Sequence, residues 1–97
     1  MIRKGTRFLV VNDFNVTALV HWRAPMTSGL PCVIEKGTIL VAFSDSVPVI
    51  GVISCIPEDA GAFQCTHVPE EIRNDKKFAG ISFVLGRQQI EAYLKTI

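Results

Sequence analysis

The motif Ile-x-Lys-Gly-Thr followed by an apolar run occurs twice, as IRKGTRFLVV at residues 2–11 and IEKGTILVAF at residues 34–43. The glycine supplies a positive φ at a turn, and the preceding lysine is at ease in water. Threonine then begins a strand, where its β-branch fits the pleat. Each copy therefore predicts a turn feeding a strand. Residues 2–25 align with 34–57 without a gap, giving seven identities in 24 positions, four of them inside the motif. Two copies are fewer than the three or more that a solenoid usually requires. The pair is either a duplicated hairpin or one turn chemistry used twice.

Turn signals recur about every ten residues, the rhythm of a mainly β domain. In the first copy the pattern predicts a strand over Thr6–Val11, a polar turn at Asn12–Asn15 and a strand over Val16–Arg23 that stops before Pro25. In the second it predicts a strand over Thr38–Phe43, a turn over Ser44–Pro48 and a strand over Val49–Ile56 that stops at Pro57. Gly51 inside that strand marks a bulge or a close backbone approach. APMTSGLPC, residues 24–32, has two prolines and a glycine and reads as a loop. AFQCTHV, residues 62–68, alternates Phe63, Cys65 and His67 and reads as a fifth strand. Pro69 and the acids after it predict a short helical turn, and FAGISFVL, residues 78–85, is a sixth strand.

The clearest helical period comes last. Ile90, Tyr93, Leu94 and Ile97 recur at i, i+3, i+4 and i+7, predicting a short amphipathic helix over Arg87–Lys95. At about 14 Å it must pack on the sheet or on another subunit. The expected architecture is a six-stranded, SH3-like barrel, or failing that a strongly curved antiparallel sheet, with one short C-terminal helix. The Lys-Gly-Thr turn resembles in local style the turns of small SH3-like barrels. That resemblance covers five residues and implies no functional residue.

A chain of 97 residues makes one domain. A formal charge of +1 is far from the basic footprint of a phosphate-neutralising surface. Arg3, Lys4 and Arg7, with Arg73, Lys76 and Lys77, could share a positive rim, but Glu70, Glu71 and Asp75 dilute it. Hydrophobic residues reach 48%, and a domain this small leaves much of its surface exposed, so a homo-oligomer, dimer or tetramer, is expected. No stretch approaches the length of a membrane span or the apolar core of a secretory signal. Three cysteines without a C-x-x-C suggest reduced thiols and a cytoplasmic setting.

No constellation in the chain compels a chemistry. Cys65-x-His67 is the one close pair of metal-ligand types, where structural zinc sites use paired C-x(2–4)-C spacings, so no metal or cofactor is expected. Ser44-Asp45-Ser46 reads as an Asp-type turn, supported by Asp13 at the equivalent place. Of the three thiols, Cys32 is expected to be the exposed one, with Cys55 and Cys65 inside apolar strands. Trp22 lies between His21 and Arg23, and aromatic and arginine side chains are enriched at binding hot spots. Trp22 filling the core with its neighbours in solvent is the plainer alternative. The expected function is a non-enzymatic protein-interaction or small-ligand-binding module. His21, Trp22, Arg23, Tyr93 and Ile97 are its candidate contact residues. The competing class is a small enzyme with a site between barrel and helix, drawn from His21, Asp45, Cys65 and His67, and a nucleic-acid-binding barrel comes after that.

Overall fold

The computed structural model of the protein describes residues 1–23 and 26–97. The described chain runs β1 (Arg7–Val10), β2 (Phe14–Trp22), β3 (Met26–Ile34), β4 (Ile39–Ala42), β5 (Ile53–Pro57), α1 (Ala60–His67), α2 (Glu70–Arg73), β6 (Phe78–Leu85), α3 (Arg87–Tyr93) and β7 (Leu94–Thr96). The strands form one sheet, ordered β3-β2-β6-β5-β4-β1-β7, with every pair antiparallel. The mainly β reading holds. The sheet has seven strands rather than six, and β3 and β7 remain open edges, so the expected closed barrel is not formed.

Short links force the sheet to bend. β1 and β2 stand four places apart in the strand order, about 19 Å in a flat sheet. Yet only Val11–Asp13 join them, a reach of about 14 Å. Glu35–Thr38 join β3 and β4, also four places apart. Both links are possible only if the two ends of the sheet curl towards each other. Contacts across the fold agree: Phe14 on β2 stacks on Tyr93 at 4.7 Å, and Val11 N–H donates to the Tyr93 carbonyl at 2.8 Å. Inside the curve, Phe8, Val10, Ala18, Val20, Ile34, Leu40, Ile53, Cys55, Phe83 and Leu85 form one buried cluster.

β6 is the strand on which the sheet turns. Its first part pairs with β2 as far as Ser82, and from Phe83 onward it pairs with β5. Gly80 at φ 122° lies just before the change of partner, beside the register shift between His21 and Trp22. A β-branched or bulky residue is disfavoured at such a φ.

The two Lys-Gly-Thr motifs have the same backbone geometry and bond to each other. Gly5 and Gly37 sit at φ 91° and 95°. Gly5 N–H donates to the Ala42 carbonyl and Gly37 N–H to the Val10 carbonyl, at 2.7 and 2.8 Å. Lys4 N–H donates to Asp45 Oδ1 at 2.7 Å, and Lys36 N–H to Asp13 Oδ1 at 2.6 Å. Each bond has its counterpart 32 residues along, so an approximate twofold axis passes beside the Phe8–Leu40 pair. The likeness stops after the aspartates. Asp13 leads into the nine residues of β2, whereas Asp45 leads into an irregular loop.

Four expectations need correction. Residues 26–32, within the expected loop, are strand and belong to β3, because Pro31 lies on an edge strand, where a missing N–H is tolerated. Residues 60–67 are helix, not strand. Asp59 caps them by accepting Ala62 N–H at 3.1 Å, and Phe63 stacks on His67 one turn later. The second-copy strand begins at Ile53 rather than Val49, since Val49 and Gly51 both have positive φ. The last helix ends at Tyr93, because Leu94–Thr96 instead complete a ladder with β1. The expected stop at Pro25 lies outside the described residues.

Candidate functional site

Among the described residues, two of the concave regions on the sheet border a helix. The first, about 420 Å³, lies between α1 and the β3–β4 link and is lined by Thr38, Ile39, Pro57, Ala62, Phe63 and His67 among others. His67 Nε2 is 2.8 Å from a Glu35 carboxylate oxygen. Its Nδ1 is 2.9 Å from the Phe63 carbonyl and 2.7 Å from Thr66 Oγ1. On paper this is a hydroxyl–imidazole–carboxylate triad. Its surroundings oppose that chemistry. Thr66 Oγ1 also lies 3.1 Å from the Phe63 carbonyl, the back-bonding usual for helical threonine. The group sits at the negative end of α1, which disfavours a developing oxyanion. The cluster fastens α1 to the β3–β4 link.

The second region, about 460 Å³, lies between the loop after Asp45 and α3, lined by Met1, Ile2, Val47, Val49, Arg87 and Ile90 among others. Ser46 is buried and anchors the loop base, its Oγ accepting Ile2 N–H at 3.0 Å and its N–H donating to the Ile2 carbonyl. Val47 N–H donates to Val52 and Gly51 N–H to Val47, closing the loop. At the tip the usual rule is reversed. Val49 is 91% exposed, Ile50 59% and Val47 47%. Val49 also stands at φ 75°, a conformation β-branched side chains rarely adopt. Arg87 from α3 donates to the Val49 carbonyl at 3.1 Å and holds that turn.

The sequence-derived candidates lie in several places. His21 and Trp22 point to opposite faces of β2. His21 Nε2 is 2.7 Å from Ser82 Oγ, and Trp22 donates to Ser28 Oγ at 3.0 Å while meeting Phe78 edge-on. Arg23 is exposed in the turn that follows. Tyr93 is half-buried against Phe14, and Ile97 is exposed beyond β7 rather than on the helix. Of the four enzyme candidates, Asp45 holds the Lys4 turn, His21 meets Ser82, His67 meets Glu35 and Cys65 is exposed on α1. Asp45, His21 and His67 are thus engaged with three separate partners. The exposed tip of loop 46–51 and Arg87 were missed, because residues 49–51 read as the start of a strand in a one-dimensional pattern. Pro48 beside Gly51 was the available signal.

Among the described residues, no three His, Cys, Asp or Glu side chains converge to hold a metal ion, and no helix is long and apolar enough to cross a membrane. Arg7 pairs with Glu58, and this hydrogen bond holds the Glu58 carboxyl below its usual range. Arg73 donates to the Val68 carbonyl at 2.9 Å.

The thiols differ from expectation. Cys65, not Cys32, is the exposed one, because α1 turns it outward. Burial raises the half-buried Cys32 thiol, and burial pushes Cys55 up to about 12. Titration of the native protein with an aromatic disulfide at mild alkaline pH should therefore modify Cys65 first and Cys32 slowly. Cys55 should react only on unfolding. Rapid modification of Cys55 in the folded protein would contradict this order.

No known protein family, curated protein or solved structure matches the chain.

Proposed function

We propose that the protein is a non-enzymatic protein-interaction module, acting as a homo-oligomer, whose loop 46–51 receives an apolar segment of a partner protein in the groove beside α3. The observation that carries this reading is Val49, a β-branched side chain in the left-handed region and almost wholly exposed. Strain of this kind costs about 1–3 kcal/mol, persists only where surrounding contacts hold it, and clusters at ligand clamps and switch regions. Here those contacts are Arg87, the loop's own hydrogen bonds and the Ser46 anchor. Val47, Pro48 and Ile50 extend the apolar surface around the tip.

The Val49→Gly variant separates stability from binding. Glycine relieves the strain at an entropic cost of about 0.5–1 kcal/mol, and no buried contact is lost. A net gain of about 1 kcal/mol is expected, which raises Tm by about 4–8 °C for a domain of this size. Binding should move the other way. Peptides selected from a random library against the full chain should be apolar, perturb the amide resonances of residues 46–51 and Arg87, and bind Val49→Gly at least tenfold more weakly. Peptides that bind the variant equally well, or map elsewhere, would refute the reading.

A further inference from the structure

We propose that β3 is a self-association edge: two copies of the chain pair antiparallel through β3, extending both sheets across a twofold axis. This deepens the homo-oligomer part of the reading above and is independent of the loop at residues 46–51.

The two open edges of the sheet are built differently. β7 is three residues long and carries Lys95, and a short strand with a lysine blunts an edge. β3 is nine residues long, MTSGLPCVI, without a single charged side chain. An edge of that length presents a row of N–H and C=O groups that water holds until another strand pairs with them, interrupted only at Pro31, which offers a carbonyl and no N–H. Pro31 identifies which residues present them. Proline is accepted on an edge strand with its nitrogen turned away from the neighbour. N–H and C=O of one residue point to the same side of an antiparallel strand. Thr27, Gly29 and Val33, in phase with Pro31, therefore aim their backbone groups outward.

The side chains leave the approach clear. Leu30, Cys32 and Ile34 turn towards the core, while Thr27, Gly29, Pro31 and Val33 are exposed on the other face. A shallow groove of about 380 Å³ runs beside this edge along Val16, Thr17, Pro31, Cys32 and Val33, giving incoming side chains a place to lie.

A second copy is the occupant that these features favour. A twofold interface requires a surface complementary to its own reverse. An edge bearing charge of one sign repels itself in that arrangement, whereas this one bears none. Overlap of the two strands is complete when the axis passes beside Leu30, the middle residue of the nine. Thr27 of one copy then lies opposite Val33 of the other, twice per dimer.

That register sets the test. Light scattering on the full chain at micromolar concentration should give twice the single-chain mass of 10.7 kDa. The double variant T27K/V33K places like charges opposite each other at both positions, and should weaken association at least tenfold and give the single-chain mass. T27K/V33E carries as many new charges but pairs opposite signs, and should restore the doubled mass. Both variants alter exposed side chains, and their circular dichroism should match that of the parent. A single-chain mass for the parent protein, whether or not it binds other strands, overturns the proposal. So does a dimer indifferent to T27K/V33K, or one that T27K/V33E fails to restore.

Discussion

Replacing Phe83 with alanine is expected to destabilise the protein by about 3–5 kcal/mol, the usual cost of emptying a fully buried aromatic site. Phe83 is fully buried, and it stands where β6 leaves β2 and takes up β5. Its ring meets Phe63 edge-on at 5.5 Å, so it also seats α1 on the sheet. One side chain thus joins the two arms of the bent sheet and the helix beside them. A domain of this kind has about 5–15 kcal/mol in total, and the variant should approach the limit of folding. Urea unfolding should show a sharply lowered midpoint with an unchanged slope. Phe43→Ala, where the ring is 42% exposed, is the control and should lose far less. Similar losses for both would mean that Phe83 does not hold the arms together.

The second large effect is alkaline instability from Cys55. Its thiol is buried among apolar side chains, and that burial pushes it from the ordinary 9.0 to about 12. A group whose folded value is raised is equally protonated in both states below the unfolded value. Stability from Cys55 is therefore fully present up to about pH 9. Above that the unfolded chain releases its proton and the folded chain does not, so stability falls by about 1.4 kcal/mol per pH unit until about pH 12. The comparison with Cys55→Ala isolates this contribution from lysine and tyrosine titration. The variant should be the less stable near neutrality, because a small cavity is left, yet its stability should fall less steeply above pH 9. Parallel pH profiles for the two proteins would rule out the Cys55 origin.

The parts of the fold legible in the sequence are those in which local chemistry and tertiary context agree. The Lys-Gly-Thr turns, β1, β4 and β6 follow from glycine and β-branched residues placed where both levels require them. Residues 26–32 were hidden because Gly29 and Pro31 oppose a strand in general, and become acceptable only once the strand is known to be an edge. Residues 60–67 were hidden because Phe63 and His67 stand two alternations apart, which is also one helical turn. The Asp59 cap was the deciding signal. Of the candidate site, Ile90 was foreseeable from the helical stripe. The exposed loop was not, since an apolar run says what a chain would bury and not whether it succeeds.

The reciprocal aspartates also bear on how the molecule is made. Lys4 waits for Asp45 and Lys36 relies on Asp13, while β1 finds its two neighbours only in β4 and β7. During synthesis the N-terminal strand therefore emerges with no partner, and β2 and β3, separated by only three residues, are the first pair able to close. The first motif can settle only after the second has left the ribosome, and the outer side of β1 only after β7 has followed. The beginning of the chain therefore meets one neighbour, β4, before half of the sequence has been made, and the other only with β7.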